Sequence, residues 1–506
     1  MRGWDLSRLI QGWKFDFPLS ISHTVGLSSV CPINLEAADE SINRQSGRSS
    51  HMALADNRVQ RISTLCALYL AQGIPWGFMT ITLANYMSSH GLSTKEVGEL
   101  TAFTLLPWTF KIIWAPVIDS LHLKSMGKRR PWILLAQLLM TLSLIGIIVI
   151  EPYLAGENMD MKTSFNYLLW IFFVHNIFVV LQDVCTDALA VDILPTEEQG
   201  RVNGLMWASK ILGFSAGAAI LASVMDEYGI RGAVLAQMAV LFVIMLFPLF
   251  CIERKGEKRF PWSKGGATEL THEPTIVTRP ISEIVRDLLV GFSLRTTLFY
   301  SAMILVSLVG WGVMETTLKT VCNQQIGWSS THTSHVMGYA GIPECLMAVC
   351  AGWFGDRFGR KPMMTIGLIG YGLLSIGFAL SVDHWGDGLA TQWAADGTWD
   401  NYIVWCYTVG YKPLLAVFVV NYIADSMKMS WTNSSATMFT IYMTLSNIGH
   451  VVGNTIAGDV EAIFGVTSSF MAMGVLTAAT SLLLLFVNAD DVEERKIQML
   501  DAGTMP

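Results

Sequence analysis

The sequence predicts an all-α membrane protein: twelve transmembrane helices in two pseudo-symmetric six-helix bundles. Three observations predict it. The 506 residues are 52% hydrophobic and only 14% charged, against about 25% charged in a soluble domain. The apolar residues gather into twelve runs, each long enough to cross a bilayer. The Lys and Arg residues fall overwhelmingly on one side of those runs.

A hydrocarbon core of ~30 Å needs about 20 apolar residues in a helix. Residues 62–87, 94–119, 132–152, 166–193, 202–226 and 230–252 form spans one to six. Residues 296–320, 333–355, 363–383, 400–427, 434–461 and 466–488 form spans seven to twelve. The domains follow: an extension over 1–60, a bundle over 61–252, a connection over 253–294, a bundle over 295–488 and a tail over 489–506. The extension mixes charge, Ser and Gly and holds no spanning run. Its acids (Asp5, Asp16, Glu36, Asp39 and Glu40) are foreign to a transit peptide. It is expected to be a disordered cytoplasmic segment, or to reflect a start assigned too early, with Met52 as the true first residue.

Orientation comes from the cations. With the first residue in the cytoplasm, 26 of the 33 Lys and Arg are cytoplasmic. Four fall on the opposite side (Lys95, Lys162, Arg231 and Lys319), and three fall inside spans (Lys111, Lys210 and Lys412). The positive-inside rule then places both termini and the 253–294 connection in the cytoplasm.

The halves echo each other. "DSLHLKSMGKRRPW" follows span two and "GDRFGRKPM" follows span eight. Each holds an Asp, a Gly, a cationic cluster and a Pro that opens the next helix. Asp356 lies 237 residues after Asp119, and Asp425 lies 233 after Asp192. Such offsets fit transporters built from repeats. Gly213/Gly217 and Gly449/Gly453 put small residues at i, i+4 on spans five and eleven, a spacing for close helix packing.

Candidate functional residues are the charges in or near the spans. Asp183 and Asp187 are i, i+4 on span four and share a face. A carboxylate in a membrane is costly unless paired, protonated or wetted. Lys111 and Lys210 lie at similar depth, so the four predict a buried charge network or a proton-coupling site. A fixed ion-pair network and a titrating site fit the pattern equally. In the other half, Glu344, Lys412 and His450 fall mid-span and Glu315 lies in the outer half of span seven. Lys412 is a partner for an anionic solute and Glu344 its resting counter-ion. His450 and His175 also fit plain structural donors. On span one, Gln72 and Trp76 are cavity candidates. There Gly73, Ile74 and Pro75 would weaken the helix, giving either a break beside a cavity or a kinked packing helix. At the cytoplasmic ends, Asp119, Arg129, Arg130, Asp192, Asp356, Arg357, Arg360 and Asp425 are candidate gate residues. Their ion pairs would break as the gate opens; the alternative is topology signalling alone.

Other classes are disfavoured. The net charge of −7 gives nothing for nucleic acid. The eight cysteines are scattered without CxxC or Cys/His clusters, against zinc or a disulfide framework. No Walker loop, GxSxG or HExxH occurs. Gly370 and Gly372 are followed by Ser375 where a dinucleotide fingerprint needs glycine. An enzyme, a cofactor and a metal are therefore not expected. The expected partners are the lipid bilayer, a small polar organic solute and protons, with the chain a monomer.

"GDRFGRKP" matches the loop motif of the major facilitator superfamily. "LPWTFKIIWAPVID" (106–119), "QDVCTDALAVDILPTEEQGRVNG" (182–204) and "SSATMFTIYMTLSNIGHVVGNTIAG" (434–458) resemble its AmpG-type permeases. The resemblance covers most of residues 60–488. It implies alternating access, proton drive, import of muropeptides across a bacterial inner membrane, and functional roles for Lys111, Asp183, Asp187 and Lys210. Relatives that carry acetyl-coenzyme A or siderophores are the alternative, as are a uniporter and a receptor that binds without translocating. One departure stands out. The muropeptide permeases have a Lys-Leu-Gly-Asp stretch in span seven, and here "VSLVGWGVMETTL" has neither charge, with Glu315 displaced.

Overall fold

The computed structural model describes residues 53–111, 113–114, 118, 126–155, 161–254, 257–260, 281–385, 402–430, 435–488, 491–492, 494 and 497–498. Met52, Asp119 and most of the extension and the 253–294 connection lie outside the described residues.

The described residues are helical, apart from turns and one isolated bridge between Ala53 and Ile252. Nine stretches among them are long and apolar enough to cross a membrane. One, Val202–Phe250, contains two spans. Gly229 separates them with φ 72°, a backbone angle that suits glycine. Span two runs through Thr94–Leu105 and continues as the 3-10 turn Leu106–Phe110 up to Lys111. Pro107 opens that turn and has no N–H to give the preceding helix. Span eleven is Ser435–Phe464, 30 residues. The fold is therefore the expected twelve-helix one.

The ends of each half meet, as an even number of crossings requires. Leu54 N–H donates to Ile252 O at 2.8 Å, joining the approach to span one to the end of span six. In the second half, the Thr296 hydroxyl donates to Asp491 Oδ2 at 2.8 Å. Both halves thus begin and end on one face, here called the basic face.

Of the two forms left open for span one, the structure shows a packing helix with no break at Pro75: it is helical from Arg58 to Ser89, with a π-helical stretch over Phe78–Leu83. Tight packing on span five supports it there. A Cβ on Gly73 would lie 2.0 Å from Lys210 O, and one on Gly77 2.0 Å from Phe214 O. Span seven runs past its expected end at 320, to Gln325, and Lys319, counted from the sequence with the side opposite the cationic one, is wholly buried inside it.

The second half repeats the first half's packing. Gly449 and Gly453 of span eleven press against the carbonyls of Leu305 and Val309 in span seven, as Gly213 and Gly217 of span five press against Leu70 and Ile74 in span one. Lipid gives apolar helices little reason to associate, so close backbone contact supplies the attraction.

The two halves are joined on the face opposite the basic one. Thr94 and Thr320 share a hydrogen bond at 2.8 Å. Asn85 donates to Ser334 Oγ at 3.1 Å and accepts from Asn323 at 3.0 Å. Gln324 donates to Leu92 O at 2.6 Å, and Lys95 pairs with Asp459 at 3.3 Å. Gly98 lies against Asn454 O, where a Cβ would be 2.1 Å away. These contacts seal spans one and two against spans seven, eight and eleven.

Candidate functional site

The seal closes one end of a central cavity of about 230 Å³. One water needs roughly 10–15 Å³ of such space, so the groups on its wall face a wet chamber rather than lipid. The wall includes Lys111, Asp183 and Lys210 from the first half and Glu344, Lys412 and His450 from the second. Along span ten it runs from Lys412 to Ile423, toward the basic face, where the span ends at Met429.

The first half brings its four predicted charges together. Lys111 Nζ lies 2.5 Å from Asp183 Oδ2 and 2.9 Å from Asp187 Oδ2. Lys210 Nζ lies 3.4 Å from Asp183 Oδ1. The Tyr69 hydroxyl donates to Asp187. Asp183 is only 2% exposed, and two ammonium groups offset the cost of burying it. The Lys210 ammonium also sits over the Trp108 ring, 4.2 Å from its centroid, a favourable place for a cation. The 3-10 turn before Lys111 and the close contact of spans one and five set these positions.

The second half builds a smaller cluster around Lys412. Its Nζ is 3.6 Å from Glu344 Oε2 and 4.0 Å from Glu315 Oε1. His450 Nε2–H donates to Glu315 Oε2 at 3.2 Å. The His450 ring stacks on Trp311, with centroids 4.1 Å apart. Glu315 is not on the cavity wall; it stands behind Lys412 and His450. Lys319 is one turn further along the same helix, and its ammonium has no hydrogen-bond acceptor among the described residues.

The span-one candidates separate. Trp76 lines the cavity. Gln72 does not: it is fully buried and donates to Gln182 Oε1 at 2.8 Å, a contact between spans one and four. His175 is buried and bonded to Ser143 Oγ at 2.9 Å.

Several candidate gate residues pair within their own half, and the cavity wall runs toward their side. Arg129 Nε meets Asp192 Oδ2 at 2.9 Å, joining the start of span three to the end of span four. Arg130 is wholly buried and donates to Pro248 O at 2.7 Å and Lys258 O at 3.1 Å, capping span six. Arg360 pairs with Asp356 at 3.7 Å, one turn away, and donates to Ala424 O at 2.6 Å. Asp425 shares a surface cleft with these two residues, Lys361 and Lys428. Arg357 is exposed.

Several contributors were not singled out from sequence: Tyr69, Trp108, Trp207, Phe214, Trp311, and the acids Glu253 and Glu257. A signal existed for one of them. Trp207 is three residues before Lys210, a spacing that places its ring beside that lysine, where its centroid lies 5.7 Å from the ammonium. Glu253 accepts from Arg129 N–H at 3.0 Å and from Arg130 N–H, and Glu257 accepts from Glu253 N–H at 3.0 Å. Burial pushes Glu253 above the usual carboxylate range. Burial and the neighbouring Glu253 push Glu257 up to about 7.

A cavity between two six-helix halves, sealed at one face and lined with charge at mid-depth, is the arrangement of a secondary transporter. The profile of the Major Facilitator Superfamily matches residues 65–395, and the chain belongs to that superfamily. It is a multi-pass membrane transporter, not an enzyme. It is 23% identical over 454 residues to the anhydromuropeptide permease of Escherichia coli (strain K12), covering 86% of this chain and 81% of the permease. It is 29% identical over 165 residues to the uncharacterized membrane protein YBR220C of Saccharomyces cerevisiae, covering 29% of this chain and 28% of that one. Among solved structures, it resembles nucleoside transporter NupG at TM-score 0.58 and 13% identity, over 84% of this chain and 98% of that one. It resembles a D-xylose-proton symporter at TM-score 0.59 and 15% identity, over 84% and 97%. These likenesses show the fold.

Proposed function

We propose that the chain carries an anionic, muropeptide-like solute by alternating access, driven by the proton gradient. The observation that carries this reading is the cavity. It sets the Lys412 ammonium over the ring faces of Phe214 and Trp311 at mid-depth, with Trp76 on the same wall, giving an anionic group a counter-ion and the solute's apolar faces a surface. Similarity to the anhydromuropeptide permease along 86% of the chain supports the solute class. The excess of Lys and Arg assigns the basic face, and with it both termini, to the cytoplasm. The cavity then opens inward. Lys111, Asp183, Asp187 and Lys210 act as a fixed charge network that holds spans two, four and five in register.

The test is uptake into proteoliposomes under an imposed pH gradient. The panel comprises an anhydromuropeptide, a peptide, a siderophore and a coenzyme A thioester. Accumulation of the anhydromuropeptide supports the reading. Accumulation of another member with none of the muropeptide replaces the solute, and binding without uptake of any member makes the chain a receptor.

A further inference from the structure

We propose that Glu344 carries the coupling proton, accepting it when an anionic group of the solute takes Lys412 away. This inference rests on the transport reading above and adds to it the site of the proton.

The four acids at mid-depth are held differently. Asp183 has two ammonium groups, at 2.5 and 3.4 Å. Asp187 has Lys111 at 2.9 Å and the Tyr69 hydroxyl. Glu315 has His450 at 3.2 Å and Lys412 at 4.0 Å. Glu344 has Lys412 at 3.6 Å as its ion-pair partner among the described residues. Glu344 and Lys412 are both on the cavity wall, whereas Glu315 and Asp187 are not. A solute anion arriving at the Lys412 ammonium therefore meets Glu344 as its competitor. The aspartates of span four share two lysines between them, and the four charges cancel; removing a proton or adding one there leaves a buried charge unmatched.

The groups around Glu344 set the direction. Span ten presents Lys412 and Tyr411, and span seven presents Glu315. Span eleven presents His450, already bonded to Glu315. Across the cavity, span five presents Lys210, held by Asp183. Span nine has no charged residue between Pro362 and Leu380. Cys345 is the neighbour on its own helix. Once the solute anion occupies Lys412, Glu344 faces another carboxylate from a half-buried place on the wall, and the Lys319 ammonium lies beyond Glu315, one turn further along span seven. Burial and like charge both favour the neutral acid.

The step balances. A water-borne proton from whichever face the cavity is then open to bonds to a Glu344 carboxylate oxygen as the solute anion pairs with Lys412. On release the ammonium returns to Glu344 and the proton leaves to water. One proton accompanies one anionic group, and the charge of the centre does not change.

The test needs no solute. Infrared spectra of the full-length protein in liposomes at neutral pH are compared for the unchanged chain, Lys412→Gln, Lys412→Gln/Glu344→Gln and Lys412→Gln/Glu315→Gln. Withdrawing the ammonium is expected to add one protonated-carboxyl band. That band should vanish with Glu344→Gln and persist with Glu315→Gln. If Lys412→Gln does not fold, Lys412→Cys on a cysteine-free background replaces it; alkylation that returns an ammonium should remove the band. Absence of a new band, or a band that survives Glu344→Gln, overturns the proposal. Failure of the anhydromuropeptide to enter liposomes would instead remove the solute assignment and leave the infrared outcome to decide the proton's site.

Discussion

Lys111 and Asp183 face each other at 2.5 Å across spans two and four, and Lys210 of span five takes the other Asp183 oxygen at 3.4 Å. One buried carboxylate thus ties three spans of a half together. Its two lysines are 99 residues apart in sequence, so the contact forms only when the half has assembled.

Asp183→Asn leaves the buried Lys210 without its carboxylate. Breaking a buried pair on one side costs roughly 3–5 kcal/mol. A clear drop in thermal midpoint is expected, read by tryptophan emission in detergent. Asp183→Asn/Lys210→Met should recover most of it, because the orphaned charge goes too. Equal loss in both variants would mean that the pair does not act as a unit.

Gly73→Ala places a Cβ 2.0 Å from Lys210 O. Backbone cannot yield as a flexible side chain does, so spans one and five must part. Overpacking of this kind costs about 1–3 kcal/mol or more. Gly204→Ala, on span five with nothing within 4 Å, is the control and should be neutral. Size-exclusion profiles and thermal midpoints of the two variants measure the difference.

Lys412→Ala removes the ammonium expected to meet the solute. A hydrogen bond to a charged group is worth about 1.5–3 kcal/mol. Affinity for an anionic muropeptide should therefore fall roughly 10- to 100-fold. An amidated, uncharged analogue should bind both proteins alike, as measured by calorimetry.

The Glu257 corner should give stability a pH slope. Its carboxyl is pushed up to about 7 by burial and by Glu253, with Arg130 opposing, against about 4.3 for an unperturbed glutamate. The folded state therefore binds this proton more tightly than the unfolded chain. Its contribution is full below about 4.3 and is lost as pH rises through about 7. The thermal midpoint should fall between pH 5.5 and 8, and Glu257→Gln should flatten the fall. A slope unchanged in Glu257→Gln would assign it to other groups.

Much of this was legible in the sequence because membrane physics is strict. Runs of about 20 apolar residues have few alternatives, and charges inside them must find partners at their own depth. That logic brought Lys111, Asp183, Asp187 and Lys210 together, and Lys412 with Glu344. It failed where orientation about the helix axis decides. Spans apolar all round do not say which face turns inward, so Gln72 was assigned to the cavity although it bonds Gln182. It failed also at span ends. Lys319 falls at the last residues of the expected span seven and counts with the opposite side, yet the span runs on to Gln325 and buries it. The paired acids Glu253 and Glu257 gave no signal, because their hydrogen-bond donors are the backbone N–H groups of Arg129, Arg130 and Glu253, which composition does not reveal. The open face was equally hidden: hydrogen bonds such as Thr94–Thr320 join residues 226 apart.

Alternating access through the Thr94–Thr320 seal is the claim on which the rest depends. It is tested most directly by Thr94→Cys/Thr320→Cys on a cysteine-free background, assayed for solute uptake in proteoliposomes. The oxidised protein should be locked closed on that face and carry nothing, and reduction should restore uptake. Equal uptake by the oxidised and reduced forms would contradict the account.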